Sequence, residues 1–213
     1  MEYWENRWIT NQTGWHRSVY NDLMVKYWPK LGIPTDSKVL VPLCGKSLDM
    51  LWLAEKGHAI VGIEFTRLAV DRFFSENKLE HIIVKHPNYI EFSNDRFTIL
   101  NGNILVIPSD LIQAEAWYDR AAMIAINPEL REDYVSQIRQ QTKVGAVGLL
   151  ITYSYPQEEM EGPPFSLNDD DVFQLFQDGF RVECLETIEL EDEKERGLSR
   201  INSSVFVLTR VSE

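Results

Sequence analysis

Cysteine is nearly absent. Cys44 and Cys184 are the only two in 213 residues, too few for a disulfide framework. The N-terminus, Met1-Glu2-Tyr3-Trp4-Glu5, lacks the basic-then-apolar layout of a secretory leader. No apolar run approaches the length that spans a bilayer. A cytoplasmic protein with reduced thiols and no membrane partner is expected. Basic charge is also scarce: 21 Lys and Arg face 33 Asp and Glu, a net charge of −12. A nucleic-acid binder needs clustered cations for its phosphate contacts, so no nucleic-acid partner is expected. The four histidines, His16, His58, His81 and His86, show none of the spacings that hold a metal, so no metal is expected either. Two acidic runs, Glu186 to Glu195 and Asp169-Asp170-Asp171, read as solvated edges. With 44% hydrophobic and 25% charged residues, residues 1–213 have the make-up of one soluble domain.

What is present concentrates in Val39 to Met50. A short apolar run stops at Pro42-Leu43-Cys44-Gly45, and an amphipathic stretch follows. A second apolar run, Ala59 to Ile63, ends in Glu64. Strand, tight turn, helix, strand and acid is the layout of a parallel nucleotide-binding unit. Backbone N–H groups in such a turn can face a ligand, and an acid at the second strand's tip can accept both hydroxyls of a ribose. Gly45-Lys46-Ser47 is not a phosphate loop. The first glycine of G-x-x-x-x-G-K-[ST] would fall at Leu40, inside the strand. Gly45 is also the sole glycine of the turn, so the G-x-G-x-x-G fingerprint is missing. A ribose site without a phosphate cradle suits S-adenosylmethionine better than NAD or ATP. The plainer reading is an ordinary βαβ unit with a surface Glu64. Cys44 reads as a small buried turn residue rather than a nucleophile.

Residues 1–35 are rich in aromatics: Tyr3, Trp4, Trp8, Trp15, Tyr20, Tyr27 and Trp28. Trp4 and Trp8 share a helix face, and a second helix is predicted from about Ser18 to Leu31. These rings either cover an edge of the sheet or form a lid over a planar ligand. Further helices are predicted over Leu68 to Asn77 and Glu129 to Thr142, with one ending at Gln174 to Gly179. Strands are predicted at Phe97 to Leu100, Trp117 to Ile126, Ala146 to Thr152, Phe180 to Ile188 and Ser204 to Val211. This alternation predicts an α/β fold with a mainly parallel sheet, helices on both faces and an antiparallel hairpin at the C-terminal edge. Asp119-Arg120 sits oddly among Trp117, Tyr118, Ala121 and Met123. It is either a structural ion pair or a placement of Arg120 at the ligand edge of the sheet. Gly162-Pro163-Pro164-Phe165 is either a plain loop or a stiff step that holds Phe165 over a cleft.

Together these pieces resemble the thiopurine S-methyltransferase family over nearly the whole chain. The resemblance rests on Arg7-Trp8, Gly14-Trp15-His16, Val39 to Met50, Trp52-Leu53-Ala54 with Gly57-His58, and Val61-Gly62-Ile63-Glu64. It continues through Phe73-Phe74-x-Glu76, Asp119-Arg120-Ala121-Ala122, Asn127-Pro128 and Gly162-Pro163-Pro164-Phe165. It implies a class I, Rossmann-like methyltransferase fold with a seven-stranded sheet, and methyl transfer from S-adenosylmethionine to sulfur, leaving S-adenosylhomocysteine. By resemblance, Trp8 packs against the cofactor, Leu43 lies beside it, Glu64 binds its ribose, and Asn103 and Ile104 flank its adenine. Arg120 sits at the cofactor facing the substrate and is the expected catalytic residue. Trp15, Phe165 and Arg196 line the substrate pocket. Trp15 stands where the family usually has phenylalanine, and Asn103 where bacterial members commonly have aspartate. The expected substrates are thiopurines or aromatic thiols, with reduced selenium or tellurium species beside them, and the expected state is a monomer. A small-thiol or halide methyltransferase of the same frame, and a non-catalytic S-adenosylmethionine-binding protein, are the competing readings.

Overall fold

The structure, a computed structural model, describes residues 2–191 and 197–212. Nine strands form one sheet: β1 (Lys38–Pro42), β2 (Ala59–Glu64), β3 (Ile82–Lys85), β4 (Ile90–Ser93), β5 (Phe97–Asn101), β6 (Ala114–Arg120), β7 (Thr142–Ser154), β8 (Phe180–Glu189) and β9 (Asn202–Arg210). Their order is β3-β4-β5-β2-β1-β6-β7-β9-β8. The expected seven strands are therefore present from β5 to β8, with β5, β2, β1, β6 and β7 parallel, β9 antiparallel to both its neighbours, and β8 running with the parallel set. The β3–β4 hairpin extends the β5 edge. The sequence predicts no strand between Asn77 and Phe97, because the apolar residues of this segment do not mark a buried face. Ile82, Ile83 and Val84 are all exposed.

The helices are α1 (Glu2–Ile9), α2 (Asp22–Tyr27), α3 (Asp49–Glu55), α4 (Arg67–Glu76), α5 (Arg131–Gln141) and α6 (Asp169–Leu175). Among the described residues none is long and apolar enough to cross a membrane. Met24 of α2, Met50 and Leu53 of α3, and Val70 and Phe73 of α4 pack with Val39, Ile60 and Tyr118 on one sheet face. Tyr134 and Ile138 of α5 and Val172 and Phe176 of α6 pack with Leu40, Trp117 and Leu150 on the other. Strand alternation sends neighbouring residues to opposite faces, so helices cover both sides. Gly148 of β7 makes room for Trp117, since a Cβ there would lie 2.0 Å from the indole.

Several boundaries differ from the sequence reading. The helix expected from about Ser18 is only α2, which Asn21 caps by accepting the Met24 N–H; a 3-10 turn at Trp28–Lys30 follows. Strand β6 ends at Arg120 rather than Ile126, because Ala121 takes φ 63° and a 3-10 turn occupies Met123–Ala125. Asp169-Asp170-Asp171 forms the first turn of α6 behind a capping box on Asn168, where carboxylates suit the helix dipole.

Asp119 and Arg120 do not pair with each other. Asp119 turns to α5, where it accepts the Tyr134 hydroxyl at 2.7 Å and the Met123 N–H at 3.1 Å. Its burial raises its pKa to about 6, although these hydrogen bonds oppose the shift. In the unfolded chain the carboxyl ionises near its ordinary value of 3.8. Between these two values the native state holds the extra proton, so this group's contribution to stability falls as pH rises from about 4 to about 6. The fall is about 3 kcal/mol on the linkage relation. Urea unfolding at pH 4.5 and pH 7 should show this slope in the wild type and a much flatter one in Asp119→Asn.

Candidate functional site

The carboxyl ends of the parallel strands open into a cleft of about 1060 Å³. The turn after β1 forms its floor. Leu43 and Gly45 both take positive φ, 44° and 55°, and the missing side chain of Gly45 also admits Trp8, whose ring would lie 3.2 Å from a Cβ there. The Gly45 N–H does not point outward to a ligand. It donates to Glu64 Oε2 at 2.8 Å, while the Thr66 N–H donates to Oε1 at 2.7 Å. Glu64 is thus a structural brace of the turn and also a wall of the cleft. Burial raises its pKa, and the backbone donors oppose that rise. Cys44 is buried beneath, and burial keeps its thiol protonated.

A second node lies at the N-terminus of α3. Asp49, 1% exposed, accepts the Asn21 N–H at 2.9 Å, the Tyr118 hydroxyl at 2.9 Å and Arg120 Nε at 3.0 Å. Burial lowers the pKa of Arg120, but Tyr118 and Asp49 outweigh it and the guanidinium stays charged. Arg120 Nη1 then donates to the Trp15 carbonyl at 3.0 Å. Trp15 meets Trp4 and Trp8 edge to face, with ring centroids 5.2 Å and 5.9 Å away. Arg72 holds the Trp8 carbonyl at 3.1 Å. The segment from Trp4 to His16 is thereby fastened across the mouth of the cleft.

Of the expected site residues, Trp8, Trp15, Leu43, Glu64 and Arg120 all line this one cleft. Pro163 and Pro164 line it, whereas Phe165 does not. The Phe165 ring packs against the Gly162 backbone and its N–H bonds to the Ile124 carbonyl at 2.7 Å. Asn103 and Ile104 lie just past β5 and off the cleft lining. Ile104 is buried in the core, and the Asn103 side-chain oxygen caps the Leu105 N–H at 3.0 Å. Arg196 falls outside the described residues. Sequence reasoning did not single out Asp49, His16, Tyr153 or Ser203, which also line the cleft. Asp49 had a signal, as an acid in the first turn after the strand-turn unit. Tyr153 and Ser203 had none, because only strand register brings them side by side. Among the described residues, no group of three or more His, Cys, Asp or Glu could hold a metal ion.

The cleft fits an adenosine-type cofactor. A carboxylate offers about four acceptor positions, and backbone donors occupy two of those on Glu64. Glu64 lies on the cleft wall, so acceptor capacity beyond those two bonds is what a ribose diol would use.

A family model described as "Thiopurine S-methyltransferase (TPMT)" matches residues 1–211. A thiopurine S-methyltransferase of Shewanella baltica (strain OS223) is 38% identical over 98% of both chains. Among solved structures, a SAM-dependent methyltransferase from Methanosarcina mazei superposes with a TM-score of 0.66 at 15% identity, covering 91% of this chain and 99% of its own. The 1,6-didemethyltoxoflavin-N1-methyltransferase of Burkholderia thailandensis, solved with S-adenosylhomocysteine, gives 0.68 at 10% identity, covering 99% and 87%. These two similarities concern the fold, a class I methyltransferase fold.

The Asp49 node carries a stability prediction. Removing one partner of a buried ion pair leaves the other unpaired, so Asp49→Ala should lower the free energy of unfolding in urea by about 3 kcal/mol. Lys46→Ala breaks only the Lys46–Glu76 pair, in which Glu76 is half exposed, and should cost less than about 1 kcal/mol.

Proposed function

The chain belongs to the thiopurine S-methyltransferase family, and we propose that its cleft transfers methyl from S-adenosylmethionine to the sulfur of thiopurines or other aromatic thiols. The observation that carries this reading is the guanidinium of Arg120, held at the cleft by Asp49 and by the Trp15 carbonyl. When bound, S-adenosylmethionine supplies a methyl group on a positively charged sulfur. Trp8, Leu43 and Glu64 form the cofactor half of the cleft, with the spare acceptor positions of Glu64 directed at the ribose. Asn103 and Ile104 belong to the adenine flank, because their loop starts at Asn101, whose side chain bonds the Glu64 and Phe65 carbonyls at 2.9 Å and 2.8 Å. Trp15, Tyr153, Pro163 and Pro164 form the substrate half.

An ionised thiol is already a strong nucleophile, so the protein's part is positioning and charge. Arg120 has five N–H donors. Two make good bonds to Asp49 and Trp15, and a third reaches Ser47 only at 3.5 Å. The rest are available to stabilise a thiolate. The cleft volume supports an aromatic substrate over a lone halide or a small thiol, since about 1060 Å³ holds a nucleoside and a second ring. Reduced selenium and tellurium species share the soft, anionic character that Arg120 favours, and they form a second substrate class in this proposal.

The test is transfer of a labelled methyl from S-adenosylmethionine to 6-mercaptopurine and thiophenol, with Arg120→Ala alongside the wild type. Loss of a charged donor at the reacting atom should lower kcat on the order of 100-fold, while calorimetric affinity for S-adenosylmethionine changes by less than about fivefold. Equal losses in both would remove Arg120 from its assigned role. No transfer to either thiol would refute the proposed substrate class.

A further inference from the structure

Methyl transfer to a neutral thiol releases a proton. The S–H bond breaks, the new S–CH3 bond forms, and the donor sulfonium becomes an uncharged thioether. Arg120 can stabilise the thiolate but cannot take that proton, because a guanidinium carries donors only. The acids of the cleft are poor candidates too. Both oxygens of Glu64 accept backbone N–H groups, and Asp49 is committed to Asn21, Tyr118 and Arg120. An ordinary carboxylate is in any case several units less basic than a thiolate. A base near neutrality matches the task far better.

Among the described residues lining the cleft, His16 is the one histidine. Its segment is fixed at both ends. The His16 N–H bonds the Thr13 carbonyl at 2.8 Å, the preceding Trp15 carbonyl is held by Arg120 at 3.0 Å, and Asn21 beyond it is held by Asp49 at 2.9 Å. The half-buried imidazole lines the same cleft as Arg120 and lies near enough to feel its charge. Its charged neighbours are Lys46 from the turn before α3, Asp49 from the start of α3, Glu76 from the end of α4 and Arg120 from the end of β6. Burial first, then Lys46 and Arg120, lower its pKa, while Glu76 and Asp49 oppose them. Its base form is therefore the one present at neutral pH.

We propose that His16 is the general base of the reaction. Its unprotonated ring nitrogen takes the S–H proton as the sulfur–methyl bond forms, and the imidazolium then returns that proton to solvent. This rests on the thiol methyltransferase reading, and it assigns a role to Gly14-Trp15-His16 beyond aromatic packing.

The experiment is kcat/KM at neutral pH for His16→Asn and His16→Gln across aryl-bearing thiols of similar size, from phenylmethanethiol, whose alkyl thiol is still protonated at pH 7, to 4-nitrothiophenol. The 4-nitro compound is already thiolate at neutral pH and needs no base. Expected is a loss on the order of 100-fold for the least acidic thiol, shrinking to within about twofold for 4-nitrothiophenol. The acidic limb of the wild-type pH profile for the least acidic thiol should be absent in both variants. Calorimetric affinity for S-adenosylmethionine, measured on the same preparations, should match the wild type and so report an intact cleft. A loss of equal size across the series, or no loss at all, would overturn the role of His16. Wild-type turnover of 4-nitrothiophenol tests the underlying reading separately: if it is absent, thiol methylation fails and the base role with it.

Discussion

One buried carboxylate organises the site. Asp49 is 1% exposed, and a lone charge there would be strongly unfavourable. It is stable because three groups donate to it at once: the backbone N–H of Asn21 before α2, the Tyr118 hydroxyl of β6, and Arg120 at the end of β6. Each of those bonds fixes something the cleft needs. The Asn21 contact sets where the N-terminal segment crosses the sheet. The Arg120 contact points a permanent cation along the cleft instead of into solvent. Arg120 then holds the Trp15 carbonyl, so the aromatic cover and the charged group cannot move independently.

Glu64 does for the cofactor half what Asp49 does for the substrate half. It bridges the Gly45 turn and the start of α4 through two backbone N–H groups, and it keeps acceptor capacity for a ligand. The two acids sit after adjacent parallel strands, at the edge where open α/β sheets bind ligands. In the proposed function, the methyl donor and a soft acceptor would meet between Glu64 at the ribose and the Arg120 guanidinium at the anion. Trp8, 2% exposed, packs over the Gly45 backbone between them.

Much of this was legible in the sequence because it follows from local rules. The acid-tipped βαβ unit, the absence of a phosphate loop and the closing hairpin all appear as periodicity and turn chemistry. The aromatic N-terminus divides between the core and the cleft wall. Trp28 is core, bonded to His58 at 3.1 Å, while Trp4, Trp8 and Trp15 line the cleft. What stayed hidden depends on tertiary context. Ile82 to Val84 pair at an exposed edge, so burial leaves no alternating pattern to read. Asp119 and Arg120 look like a pair in sequence, yet strand alternation sends one to Tyr134 and the other to Asp49. The stiff Gly162-Pro163-Pro164 step does approach the cleft, but it is the prolines that form the wall. Asn103 caps a turn, a local bond that a motif match does not report.

The most direct test of the account is calorimetric titration of S-adenosylmethionine into the wild type and Glu64→Ala. The geometry predicts saturable one-to-one binding to the wild type. It predicts weakening in the variant by about 3 kcal/mol, on the order of 100-fold, for the loss of charge-assisted hydrogen bonds to the ribose. Absence of binding to the wild type, or equal affinity in the two proteins, would contradict the assignment of this cleft to the cofactor.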